Sequence, residues 1–133
     1  MTQRTAIFPA GRRELYERKK YSAAVASGGF HFDSGQVGSQ DDGSPHADHE
    51  QQLRPAFAQL NSVLAEAGCA FVDVVDFTVY IVNPESLMPV FFKVKDDFWG
   101  EPPYPPLTGI GVTWLYGFDF EQQGTARLPD AAQ

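Results

Sequence analysis

Cysteine is nearly missing from this chain of 133 residues, where Cys69 stands alone. That excludes a disulfide framework and a four-cysteine zinc site. Long hydrophobic runs are missing too, and none approaches the ~18 apolar residues of a membrane span. The first twenty residues, MTQRTAIFPAGRRELYERKK, contain no apolar stretch of signal-peptide length, so the chain reads as cytoplasmic and without membrane contact. The glycine-rich fingerprints that cradle nucleotide phosphates do not occur. Ser34 has no histidine and acid partner identifiable by spacing, so no hydrolase triad can be argued.

Cations are scarce beyond residue 20. Arg4, Arg12, Arg13, Arg18, Lys19 and Lys20 are six of the ten basic residues, and against Glu14 and Glu17 they leave the first twenty positions at +4. The remaining residues carry four basic and fifteen acidic side chains, a net of −11. A body of that charge repels phosphate backbones, so no nucleic-acid partner is expected and a ribonuclease reading is disfavoured. Residues 1–20 read as a solvated basic lead-in, 21–127 as one domain and 128–133 as a tail.

What is present is an ordinary globular composition, 43% hydrophobic and 20% charged. Residues 22–27 and 30–34 flank Gly28-Gly29 and predict a hairpin. Residues 39–48 are rich in Ser, Asp, Gly and Pro and predict a loop. Leu53, Ala56, Phe57, Leu60, Val63, Leu64 and Ala67 recur at helical spacing. Asp48 with Gln51 offers a capping pair, Gly68 offers a stop, and Pro55 implies a later start or a kink. Residues 73–82 predict a strand with Val75, Phe77, Val79 and Ile81 on one face. A second helix is expected over about 84–98. Two last strands are expected at about 108–115 and 118–127, joined by a tight turn at Tyr116-Gly117. Gly109 and Gly111 give the first of these a glycine face, which means something approaches its backbone closely: a helix, a neighbouring subunit or a ligand. The order β-β-α-β-α-β-β predicts an α+β layer with two helices on one face of the sheet. The other, half-apolar face then calls for a second copy of the chain.

Candidate chemistry is thin. His46 and His49 bracket Asp48, but their spacing fits no closed zinc or calcium pattern, so no metal and no cofactor are expected. His31 reads as a structural hydrogen-bonding residue and Cys69 as small buried filler.

Three segments together resemble a known family: YSAAVASGGFHFDSGQVG (21–38), QQLRPAFAQLNSVLAEAGCAFVDVVDFTVYIV (51–82) and PYPPLTGIGVTWL (103–115). In this order and spacing they are similar to the Rid family, the YjgF-like group of reactive imine and enamine deaminases. The resemblance implies a chorismate-mutase-like α+β fold, assembled as a homotrimer with small-molecule clefts between subunits. It implies hydrolysis of short-lived enamines or imines, with an arginine clamping the substrate carboxylate and a glutamate helping to place water. Tyr21 and Gly35 match residues lining the family cleft. The arginine position falls on Leu107, the glutamate position on Gln123, where an amide can orient water, and a polar helix position on Phe91. The chain thus resembles an arginine-less branch, either hydrolysing enamines or imines other than the usual small amino acid ones, or binding a small molecule without turnover. An arginine reaching the cleft from elsewhere, Arg54 or Arg127, would favour the enzyme.

Overall fold

The computed structural model describes residues 3–129 and, within them, every side chain but that of His49. The apolar stripe of residues 53–67 becomes the buried face of a helix, α2 (His49–Glu66). Asp48 caps its start by accepting from the Gln51 N–H at 3.1 Å, and Gly68 follows its last turn at φ +77°. Pro55 sits inside the helix, which runs through it and forgoes only the bond that proline cannot donate. Leu53, Ala56, Phe57, Leu60, Val63 and Leu64 are all fully buried. Each large side chain of that set contributes about 1.5–3 kcal/mol by leaving water, which outweighs the lost proline bond several times over.

The sheet beneath has six strands in the order β1-β2-β3-β6-β4-β5: β1 (Thr5–Ile7), β2 (Ala24–Ser27), β3 (Phe30–Asp33), β4 (Val74–Ile81), β5 (Leu107–Gly111) and β6 (Phe120–Arg127). Every pairing is antiparallel except β4 with β5. Between those two strands runs α3 (Pro84–Lys95), the crossover that parallel neighbours require. The mixed α+β architecture is the one expected, with two additions from the basic lead-in: β1 extends the sheet, and a further helix, α1 (Arg13–Lys19), follows it. The lead-in is therefore part of the fold, not a solvated arm. Its seven-residue helix buries none of its residues, so no periodic apolar signal announces it.

Two local expectations need correction. The turn at Tyr116-Gly117 forms, with both residues at positive φ and the Phe118 N–H bonded to the Leu115 carbonyl at 3.0 Å. The strands it joins do not pair, because β6 lies on the far side of β4 from β5. In β4 a bulge between Val74 and Asp76 turns Val75 out to solvent and puts Val74 in the core with Phe77, Val79 and Ile81.

The glycine face of β5 is explained by α3. A Cβ on Gly111 would lie 3.2 Å from Pro84 Cγ, and one on Gly109 would lie 3.8 Å from Met88 Cε. The core is aromatic, with Phe57 at its centre and the rings of Phe71, Phe77, Phe91, Phe98 and Phe120 between 4.9 and 6.4 Å from it. On the opposite face Phe30, Phe32 and Ile110 are 40%, 48% and 42% exposed. No helix among the described residues is long and apolar enough to cross a membrane.

Candidate functional site

The segment Ser34-Gly35-Gln36 leaves β3 and crosses the start of β6. Ser34 ties it down by donating to the Ser22 carbonyl at 2.7 Å, and Gln36 exchanges backbone bonds with Gln122 at 2.7 and 3.0 Å. The crossing lays Gly35 directly on the side chain of Glu121, so closely that a Cβ at position 35 would overlap it. A side chain at position 35 would have to push the Glu121 carboxyl aside.

Glu121 lines an open cavity of about 880 Å³ between α1, the 37–43 segment and the 115–118 turn. Its carboxyl is half-buried, and burial raises its pKa above the usual carboxylate range. Tyr21 lines the same cavity, and its phenol is pushed up first by burial and then by the charge of Glu121. Tyr16 packs edge-on against Tyr21 with ring centroids 5.0 Å apart and donates to Gln36 Oε1 at 3.1 Å. Arg12 holds the wall. Its Nη1 donates to Ser39 Oγ at 2.8 Å, and with the Gln59 amide turned oxygen-first, Nη2 and Nε donate there at 2.8 and 2.9 Å. Arg18 and Lys19 complete the rim.

Of the residues singled out in the sequence, Tyr21 and Gly35 come together here. Gln123 does not join them; it lies exposed on β6, accepting from Tyr80 Oη at 3.2 Å and donating to the Asp33 carbonyl at 3.4 Å. The carboxylate beside Gly35 is Glu121, two residues earlier on the same strand face. Leu107 opens β5 opposite Phe77 and packs half-buried against the core. Phe91 is fully buried, 5.6 Å from the Phe120 ring. Within one chain neither reaches the cavity. Arg54 is engaged with Asp97 at 2.9 Å and Arg127 ends β6, so the arginines at the cavity come from the lead-in instead.

His46 precedes α2, where its carbonyl accepts from Gln52 at 2.9 Å, and the His49 side chain lies outside the described residues. Among the described residues no three His, Cys, Asp or Glu side chains gather as a metal site. Cys69 is buried, with its thiol 3.5 Å from the Arg127 carbonyl and its pKa raised by burial.

A second polar cluster lies under the sheet. His31 and Asp33 are buried with Nδ1 and Oδ2 3.9 Å apart, and the Gly124 N–H donates to Asp33 Oδ1 at 3.0 Å. Burial pushes Asp33 up to about 8 and His31 down. Both side chains are therefore neutral over most of the physiological range.

The family model described as endoribonuclease L-PSP matches residues 11–128, from the start of α1 to the end of the sheet. The chain belongs to this family, the YjgF/Rid group. A RutC family protein, YjgH of Escherichia coli (strain K12), is 50% identical over 130 residues, covering 98% of this chain and 99% of that one. A solved structure of protein YjgH superposes with a TM-score of 0.91, covering 96% of this chain and 98% of that chain at 50% identity. A probable translation initiation inhibitor from Rhodopseudomonas palustris gives a TM-score of 0.83 at 28% identity, covering 96% and 99%. The family match begins at residue 11 and so takes in α1, which supplies one wall of the cavity.

Proposed function

We propose that this chain is a hydrolytic deaminase of the Rid type, acting on an enamine or imine other than the usual small amino acid ones. The observation that carries the reading is the half-buried Glu121 carboxyl, held against the backbone of Gly35 in an open cavity beside Tyr21. Imine hydrolysis needs little more than a positioned water and a proton carrier. Water adds its oxygen to the imine carbon while Glu121 takes one of its protons. The nitrogen takes that proton to give the carbinolamine, whose hydroxyl proton then passes through Glu121 to the nitrogen as the C–N bond breaks, so that ammonia leaves and a carbonyl remains. A carboxyl whose pKa is raised by burial holds a proton more readily than an ordinary one, which suits it to taking and returning one.

The exposed apolar sheet face supports self-association into the trimer of the family pattern, which would close the open side of the cavity with a neighbouring copy. The apolar Leu107 favours one further reading, a binding protein without turnover, because an isobutyl group supplies no donor to a substrate carboxylate.

Ammonia release from enamines generated in situ by a pyridoxal-phosphate lyase separates the readings. The enzyme predicts release faster than buffer from the natural chain. If the natural chain merely equals buffer for every enamine supplied, including with Leu107→Arg, the binding reading replaces it.

A further inference from the structure

We propose that His31, Asp33 and Gln122 form a binding site for internal water between the sheet and α2. The site is separate from the Glu121 cavity, and the inference does not depend on the activity assigned there.

Six buried side-chain polar atoms make no hydrogen bond among the described residues, and five of them belong to these three side chains. They are both ring nitrogens of His31, Oδ2 of Asp33, and Nε2 and Oε1 of Gln122. His31 and Gln122 are fully buried, and Asp33 is 4% exposed. Buried polar atoms in native proteins are nearly always paired, because an unpaired one loses its hydration without compensation. Five orphans scattered through a core would each need a separate explanation. Gathered in one place, they make one ligand set.

The sheet register gathers them. His31 stands opposite Ala126, and Asp33 holds the Gly124 N–H through Oδ1. Gln122 is the next residue of β6 on that buried face, roughly 7 Å along the strand from Gly124. The residues opposite the buried histidine and acid are thus a glycine and an alanine, the smallest side chains. A Cβ on Gly124 would meet no atom nearer than 3.6 Å, and Asp33 Oδ2 is one of the atoms at that distance. The orphaned oxygen therefore borders space that no side chain of β6 fills. Nδ1 of His31 lies 3.9 Å from it, too far for a direct hydrogen bond and within reach of a bridging molecule. The Val63 backbone on α2 comes near His31 but leaves both ring nitrogens without a bond of good geometry.

The donor count fits water. With the acid and the imidazole both neutral, one His31 nitrogen and Gln122 Oε1 accept. The other His31 nitrogen and Gln122 Nε2 donate, as does Asp33 when its proton is on Oδ2. Water donates two bonds and accepts two, so about one or two molecules bridge the set. A set without net charge offers a cation nothing to offset its lost hydration.

Magnetic relaxation dispersion of water oxygen tests the site, because it counts waters held longer than the molecule takes to tumble. His31→Leu/Gln122→Leu replaces four of the five orphaned atoms by apolar groups and is expected to remove at least one such water per chain. Gln51→Leu, at an exposed amide, is expected to remove none. A high-resolution crystal structure of the natural chain covers the case in which the double variant fails to fold. A solvent peak is expected within about 3.2 Å of at least two of the five atoms. A direct bond between His31 and Asp33 with no solvent peak beside it would overturn the site. So would a peak coordinated as a metal ion, or a dispersion amplitude unchanged in the folded double variant.

Discussion

Glu121 and Gln123 alternate onto the same face of one strand, and strand periodicity treats them alike. What separates them is a contact made across the sequence, where the 34–36 segment crosses β6 and sets Gly35 on Glu121 alone. Tyr21 and Gly35 were singled out only through the family resemblance, which assigned the acid's position to Gln123; the carboxylate that Gly35 meets is 86 positions away and no local pattern marks it. Glu121→Gln is expected to lower the rate of ammonia release by about a hundredfold or more, the usual worth of a general acid–base group. In the natural chain the rate should rise with pH through a pKa above that of an ordinary glutamate, as the carboxylate forms. A pH–rate profile of both proteins checks this, and a limb that survives in the Gln variant assigns it to another group. Asp33 makes a separate stability prediction. Its pKa is raised on folding, so between about pH 4 and about 8 the folded chain keeps a proton that the unfolded chain releases. Stability from this group is full below pH 4 and falls as pH rises through that window. His31, lowered by burial, acts oppositely, losing stability as pH falls below its ordinary value. Asp33→Asn keeps an acceptor for Gly124 and removes the proton, so denaturation midpoints should depend less on pH between 6 and 8 than in the natural chain.

At the scale of elements, α2, β4 and α3 were legible because each carries a long apolar face, while α1 only half-buries Leu15 and Tyr16 and left mainly its charges to read. The last two strands show a different limit. The turn chemistry of Tyr116-Gly117 was readable, but whether its strands pair depends on where β4 lies, and no local pattern encodes that. The glycines of β5 were recognised as a close approach, and the approaching element is α3. The spacing gives a graded expectation. Gly109→Ala meets ordinary contacts at 3.7 Å and should be near neutral, whereas Gly111→Val presses on the Pro84 ring and should cost about 1–3 kcal/mol. Urea denaturation of the pair measures the difference, and equal losses would mean that α3 yields freely. Phe57→Ala should cost about 3–5 kcal/mol, since it empties the centre of a ring cluster.

For the whole molecule, the half-apolar sheet face was foreseeable from strand alternation, and Phe30, Phe32 and Ile110 are where it is realised. Sedimentation of the natural chain is expected to give the mass of three copies, and Phe32→Asp to shift it toward smaller species. A single-copy mass for the natural chain would remove the subunit cleft from the account. Charge is organised at the same scale, with the basic lead-in folded back as a cationic rim on a cavity in an acidic body. That rim was hidden because composition reports where cations lie in sequence and not what they line. Imine hydrolysis in the Glu121 cavity is best tested by single-turnover ammonia release, comparing the natural chain, Glu121→Gln and buffer on one enamine preparation. Release faster than buffer is expected from the natural chain and near-buffer release from the variant. Equal release from the two proteins, at whatever speed, would rule out Glu121 as the proton carrier.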